Sequence, residues 1–365
     1  MSNLQRNTET PSVQPIRNTT FGTFSRSTRR YTPFTKTPKS RRLCISTAVR
    51  DIHRTPTPSQ QTVDFKGLTN KTWKVYRLTP LYRFSAETKD QKWYGRLLSS
   101  HIETENQKSF VLDEDIPEKA IFSWYKGLKV GPDDEEALQI IIKGKSRNGN
   151  GVDVIVLTAF LLCVDLEDNP VDKELQQHFT YYPVMIVKGP VHSQNILTSW
   201  LERQFDCRVN PSTFSSLQLA CIVAMWSGLC TKPIQKSKQV ELLYKVPAEC
   251  EGMSKITYSL CAQDCKDLWD SIHDSGSDEF TEVETQTFIR SIESHFYYYS
   301  KFDSLSIESH FYYYSKIRLS AMQLYRVGTP VMMLGSEGRL KIFSSQHALI
   351  ILRHLTELSV EKFVP

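Results

Sequence analysis

The feature that most restricts the fold of this 365-residue chain is a succession of strand-like runs, Ala120 to Tyr125, Leu138 to Lys143 and Val152 to Val164. The last two are joined by Gly144 to Gly151, where Asn148-Gly149 is a hairpin signal. Strands joined by a turn, rather than by helices, favour an antiparallel sheet. Further runs extend the pattern on both sides. Trp73 to Leu78 alternates and is broken by Thr79-Pro80, and Tyr181 to Val187, Val240 to Val246 and Ile256 to Leu260 also read as strands. Between them lie helical patterns. One is capped by Ser85 and carries a buried stripe of Trp93, Leu97, Leu98, His101 and Ile102. Gln194 to Phe205 turns Ile196, Leu197, Trp200 and Leu201 inward. Phe214 to Leu229 is apolar nearly all round, which predicts the central buried helix. Gln263 to Ile272 and Glu279 to Tyr299 are two more helices. The class expected is therefore α+β, with mixed, largely antiparallel curved sheets packed with helices.

The last fifty residues read as strand, strand, helix. In the run after Lys316, Ile317, Leu319 and Ala321 fall on one side and Arg318, Ser320 and Met322 on the other, until Val327-Gly328-Thr329-Pro330 closes it. After Gly335-Ser336-Glu337-Gly338, Arg339 and Lys341 point one way while Leu340 and Ile342 point the other. The helix Ser345 to Glu361 repeats Ala348, Leu349, Leu352, Leu355 and Leu358 at helical spacing. Arg318 and Arg326 share one strand's parity and Arg339 and Lys341 one face of the next, so a paired sheet could present an array of cations. Such an array suits phosphate, without reading bases. It also suits a solvated face that discourages unwanted strand pairing.

Net charge is +5, but it is unevenly placed. Residues 1 to 60 hold eleven Lys or Arg against Glu9 and Asp51, or +9, which leaves 5 − 9 = −4 for the rest. Nucleic-acid contact by the body must then come from a local patch. The segment 1–65 is rich in Ser, Thr, Pro and Arg, too poor in large apolar residues to offset the entropy of ordering, and is expected to be a disordered tail. Thr32, Thr37, Thr55 and Thr57 each precede proline and are candidate sites for proline-directed phosphorylation, which would cancel the charge of Arg29, Arg30, Arg41 and Arg42. Met1 to Thr20 has no apolar block of a signal peptide, and no run approaches the eighteen apolar residues of a membrane span. Eight scattered cysteines then read as reduced thiols, mostly core filling.

Residues 66–365 are expected to form one α+β domain, or two subdomains meeting near residue 190. Within it, Ser291 to Lys301 recurs unchanged as Ser306 to Lys316. A shift of fifteen residues turns a helix face by about 60 degrees, so both copies cannot present one face to the same core. The segment 291–316 reads as a local fifteen-residue duplication, its extra copy an exposed turn of helix or a loop.

Catalytic signatures are weak. Gly144-Lys145-Ser146 lacks the earlier glycine of a phosphate loop, since Gln139 stands there, and a hairpin is expected where the helix should follow. Gly149-Asn150-Gly151 precedes a strand instead of following one, so it is no dinucleotide fingerprint. No Gly-x-Ser-x-Gly elbow and no His-Glu-x-x-His is present. Cys261 and Cys265, with Cys250 and His273, could be drawn around zinc, but Leu260 and Leu268 give that segment its own reason to be buried. No catalytic, cofactor or metal residue is assigned.

Several words, in order, carry a resemblance: Leu78-Thr79-Pro80-Leu81-Tyr82-Arg83-Phe84, Phe205-Asp206-Cys207, Ala224-Met225-Trp226, Leu268-Trp269-Asp270-Ser271-Ile272-His273, Ser309-His310-Phe311, Arg326-Val327 and Leu355-Thr356-Glu357-Leu358. From about residue 66 to 365 the chain resembles the vertebrate centromere protein L family. That resemblance implies a non-enzymatic subunit of the inner kinetochore, in the nucleus at the centromere, needing no cofactor, membrane or small-molecule substrate. It implies pairing with centromere protein N through the C-terminal region, the two chains joining their sheets, and contacts to centromere protein C, other inner-kinetochore subunits and the centromeric nucleosome and its DNA. Carried onto this sequence, the pairing surface is Ile317, Leu319, Leu340, Ile342 and Phe343, and Arg318, Arg326, Arg339 and Lys341 face DNA. Two other classes stand beside it: a free-standing nucleic-acid-binding module, which needs exposed aromatics among the cations, and an enzyme with an unrecognised cleft.

Overall fold

The computed structural model describes residues 65–85, 87–108, 119–128, 136–145, 153–162, 178–228, 239–248, 252, 254–273, 281–302, 319 and 322–360. The tail with Thr32, Thr37, Thr55 and Thr57, the second copy of the repeat, and Ile317 and Arg318 lie outside them.

An eleven-stranded open sheet organises the chain. Its strands are β1 (Thr72–Leu78), β3 (Lys119–Tyr125), β4 (Ala137–Lys145), β5 (Asp153–Leu162), β7 (Val184–Lys188), β8 (Val209–Pro211), β9 (Gln239–Lys245), β10 (Lys255–Cys261), β11 (Gln323–Gly328), β12 (Met332–Gly335) and β13 (Arg339–Ile342). A separate pair, β2 (Leu81–Tyr82) and β6 (Phe179–Thr180), lies off it. The order is β10-β9-β11-β12-β13-β1-β7-β5-β4-β3, with β8 also on β1, and every paired strand is antiparallel. Strands from both sides of residue 190 thus share one sheet.

Six described helices cover it: α1 (Thr88–Lys108), α2 (Val191–Phe205), α3 (Ser216–Gly228), α4 (Ala262–Ile272), α5 (Glu282–Phe302) and α6 (Ala348–Val360). They divide between two cores on opposite faces. Against β3, β4, β5, β7 and β1, α1 and α2 pack Tyr94, Leu98, Trp200, Leu201 and Phe205 onto Tyr76, Phe122, Ile140, Leu161 and Met185. Aromatic rings meet there edge to face, Tyr94 and Phe84 each 5.1 Å from Phe205 between centroids. On the other face α3 to α6 cover Trp73, Val75, Leu242, Leu324, Leu334, Leu340 and Ile342. Every residue from Leu219 to Ser227 is buried, so α3 is the central helix its composition predicts. Each fully buried Leu or Ile contributes about 1.5–3 kcal/mol.

The structure corrects several expectations. Trp93 is half exposed, at 51%, and the inward face of α1 is Gln91, Tyr94, Leu98 and Ile102. The terminal segment holds three strands instead of two, because β12 runs between β11 and β13. The first of them starts at Gln323, later than the alternation from Ile317 suggests. Neither β11 nor β13 is a sheet edge, since β11 lies between β9 and β12, and β13 between β12 and β1. In α5 the first repeat copy supplies Ile292 to the core, with Phe296 packed against it.

Gly338 closes the β12–β13 turn with φ 75, and a Cβ there would overlap the Ser212 carbonyl. Gly338→Ala should therefore lower stability by about 1–3 kcal/mol, read as a lower urea midpoint with unchanged slope. An unchanged midpoint would mean that this turn does not clamp the β8 segment.

Candidate nucleic-acid interface

The core under α3 to α6 runs from β9 across to β5 and the end of β4, whereas the core under α1 and α2 stops at β1, which leaves one face of the β10-β9-β11-β12-β13 half without a described helix. Alternation and register decide what stands on it. Trp73, Val75, Leu340, Ile342, Leu334, Val327, Leu242 and Tyr244 point into the core. Their neighbours Lys74, Arg339, Lys341 and Lys245 point the other way. Register then aligns them across strands: Lys74 with Arg339, Lys341 with Met333, Arg326 with Gly335 and Leu243, and Lys245 with Lys255. Six strands at about 4.8 Å spacing make a basic track about 24 Å long from Lys255 to Lys74. Lys245, Lys255 and Arg339 are exposed, and Lys74, Arg326 and Lys341 are half-buried.

A register shift between Leu324 and Arg326 is a bulge that brings Tyr325 to the same side. Its hydroxyl hydrogen-bonds to Glu337, the main reason its pKa is raised, while Arg339 and Arg326 act in the opposite sense. Lys74 Nζ donates to the Glu337 carbonyl. Burial lowers the Lys74 pKa, nearby Arg339 adds to that, and the Glu337 charge opposes both. Lys341 lies over the Phe343 ring, 5.3 Å from its centroid, a cation–π contact that leaves its charge available to solvent. Among the described residues, Glu241 and Glu337 are the carboxylates of this surface, against six cations. Among the described residues none of the six is within 4.0 Å of a carboxylate oxygen.

The predicted cations Arg326, Arg339 and Lys341 thus lie on one face, although β12 separates their strands, and Arg318 lies outside the described residues. Lys74, Lys245 and Lys255 join them unforeseen. Their signal was present, since each stands at an outward position of an alternating run, but only pairing shows that those runs share this face. Of the predicted pairing residues, Leu319, Leu340 and Ile342 are at most 1% exposed and contact the chain's own helices, so they offer a partner no surface. Phe343 is half-buried beneath Lys341, and Ile317 is outside the described residues.

The cysteines imagined around zinc are used otherwise. Burial pushes the Cys265 thiol up to about 12, which disfavours the thiolate a metal needs. His273 stacks on Trp269 and lies 2.9 Å from Glu284. Glu284 also accepts from the Thr281 amide and hydroxyl, and these bonds outweigh burial to lower its pKa. Cys250 is outside the described residues, and no described group of three His, Cys, Asp or Glu could hold a metal ion.

The described residues thus form a large antiparallel sheet with helices on both faces and a basic strip across the half that one described helical layer leaves open. Sequence comparison then supplies the lineage. Residues 67–360 match the family described as Centromere protein L. The chain is 31% identical to rat Centromere protein L over 297 residues, covering 80% of this chain and 79% of the rat protein. The human protein of that name is also 31% identical, covering 80% of each chain, and that of Xenopus tropicalis is 29% identical over 92% of this chain and 89% of its own. This chain belongs to the centromere protein L family.

The Tyr325 arrangement is directly checkable. Its phenol should titrate above the ordinary tyrosine range, and Glu337→Gln should bring it down, followed by ultraviolet difference absorbance against a Tyr325→Phe baseline. An identical titration in the unmodified protein and the Glu337→Gln variant would remove the contact.

Proposed function

We propose that this chain is a non-enzymatic subunit of the inner kinetochore, which pairs with centromere protein N and helps to hold the assembly on centromeric chromatin in the nucleus. The basic strip carries this reading. A polyanion's phosphates can be neutralised by cations spaced along about 24 Å of sheet, without reading base edges. Family membership supports the centromeric setting. Contacts with centromere protein C and other inner-kinetochore subunits, and a role in chromosome segregation, belong to the same proposal. No described helix is long and apolar enough to cross a membrane.

Edge accounting favours a place for the partner. At one end of the sheet α1 closes β3, because the Ala120 amide donates to Ser99 Oγ at 2.9 Å, and Gly95 lies so close that a Cβ would stand 2.8 Å from the Ala120 carbonyl oxygen. At the other end β10 pairs only with β9 among the described residues. The Val246 amide bonds the opposite Ser254 carbonyl, which sets the phase of this ladder. Lys255, Thr257 and Ser259 therefore direct their amides and carbonyls away from β9. On this reading centromere protein N pairs with β10, extending the sheet and its basic side, rather than with the buried residues Leu340 and Ile342.

Co-expression with centromere protein N should give a heterodimer by light scattering after size exclusion. Thr257→Pro, which removes an outward amide and no ladder bond, should abolish pairing while the circular dichroism spectrum is retained. A partner that still binds Thr257→Pro at full strength sinks the edge assignment.

Arg326→Glu combined with Arg339→Glu and Lys341→Glu should weaken binding of the heterodimer to a duplex DNA and flatten its salt dependence by about 0.9 log units per lost phosphate contact. Unaltered DNA affinity in that variant would be decisive against the basic strip.

A further inference from the structure

We propose that Thr57, once phosphorylated, seats its phosphate in a groove between α1 and β3 and so ties the tail to the body at the sheet end opposite β10. The inference is independent of the basic strip and of its DNA-facing role. The groove has a volume of about 520 Å³, and its walls carry the cations Lys92, Arg96 and Lys119, with Ile121 and Phe122 as apolar lining. Packing sets its shape. The Ser99 hydroxyl donates to the Gly95 carbonyl at 2.7 Å and accepts from the Ala120 amide at 2.9 Å, so helix and strand meet at one fixed separation. Lys92 and Arg96 stand one turn apart on the helix, Lys119 begins the strand, and all three are exposed. Among the described residues none of them is within 4.0 Å of a carboxylate oxygen, and Glu103 is the acidic residue of the lining. Like charges at i and i+4 repel, and an anion between them relieves that repulsion.

The chain's own path names the occupant. The described body begins with the short 3-10 turn Phe65–Gly67, and Gly67 lies against β3, where a Cβ would stand 3.2 Å from the Tyr125 hydroxyl. From Tyr125 the strand leads back to Phe122 and Lys119, about 10 and 20 Å away at the usual rise per residue. Thr57 precedes Phe65 by eight residues, which reach about 26–29 Å when extended, enough to round the strand and arrive at the groove. Charge selects among the Thr-Pro sites. Thr32 and Thr37 stand among Arg29, Arg30, Lys36, Lys39, Arg41 and Arg42, and Thr55 follows Arg54, whereas Thr55 to Asp64 holds no Lys or Arg. A proline-directed kinase would move the γ-phosphoryl of ATP onto the Thr57 hydroxyl, releasing ADP and the hydroxyl proton. The nearly dianionic product then faces two ammonium groups and a guanidinium, and Pro58 has Ile121 and Phe122 to rest on. The stretch 109–118, with Asp113, Glu114 and Asp115, lies outside the described residues and is the rival anion for this groove.

The test uses the full chain carrying phosphothreonine at position 57 alone, followed by phosphorus NMR against pH. Cations beside the phosphate favour its dianion, so its second ionisation should fall by about half a unit or more below the value of the free phosphopeptide, near 6. Lys92→Glu with Arg96→Glu should return it to the free value, and Lys245→Glu with Lys255→Glu on the basic strip should leave it lowered. Should the first pair lower the urea midpoint, Arg96→Gln alone should still remove part of the shift. A second readout is a fluorescent peptide of residues 52–62 added to the full chain bearing Thr57→Ala. Phosphate on its Thr57 should tighten binding about tenfold, and that gain should vanish with Arg96→Gln. A free-peptide value in the otherwise unaltered chain overturns the proposal and leaves the groove to the 109–118 stretch or to solvent. So does a shift that survives at Lys92→Glu with Arg96→Glu, or one lost on the strip variant, which would put the phosphate elsewhere.

Discussion

The structure depends on the double pairing of β1. One side of this strand bonds β13, through Thr72, Trp73 and Lys74, and then β8, through Tyr76 to Leu78, and the other bonds β7. Its two faces belong to different cores, with Trp73 and Val75 among α3 to α6, and Tyr76 and Leu78 among α1 and α2. The Trp73 indole is fixed as well, donating to the Leu68 carbonyl at 2.9 Å. A strand apolar on both faces is the usual mark of a sheet interior. Here it also marks where the α1 and α2 layer ends. Beyond it the terminal strands need apolar residues on one face only, and the other is free to be polar.

The end of that layer is what produces the candidate surface. Lysine and arginine at outward positions cost little where no described helix lies above them, and they accumulate there as Lys74, Arg326, Arg339, Lys341, Lys245 and Lys255. The body as a whole carries no positive excess, since the tail accounts for more than the net charge of +5. A local field is thus set against a neutral to acidic background, which suits steering of a polyanion toward one face.

Much of this was legible in the residues. Alternation placed β1, β9, β10 and β13, the apolar helix α3 announced its burial, and the inward and outward sets of Arg339 to Ile342 were assigned correctly. What the chain order could not show was adjacency. β12 is four residues long and contains Met-Met-Leu-Gly, with no alternation of polar and apolar side chains, so nothing separated it from the turns on either side. Without it the terminal strands look like a free hairpin, and Leu340 and Ile342 look like a docking edge. Trp93 misled for a related reason: a large aromatic at a helical position is a strong apolar signal, yet the helix faces the sheet one position away, through Tyr94. The long-range register that gathers six cations is set by pairings between residues up to 269 positions apart, as in Thr72 with Lys341, which no local pattern encodes.

The span of that register has a consequence for biosynthesis. On a ribosome, β1 emerges early and can soon join β7 on one border and β8 along the end of the other, but the first half of that second border has to wait for Arg339 to Ile342, the closing part of the chain. For that interval Trp73 and Val75 have neither their final neighbour strand nor the late helices that shelter them. A nascent chain in this condition is a natural client for chaperones, because an unfinished sheet margin recruits stray strands as readily as the intended one.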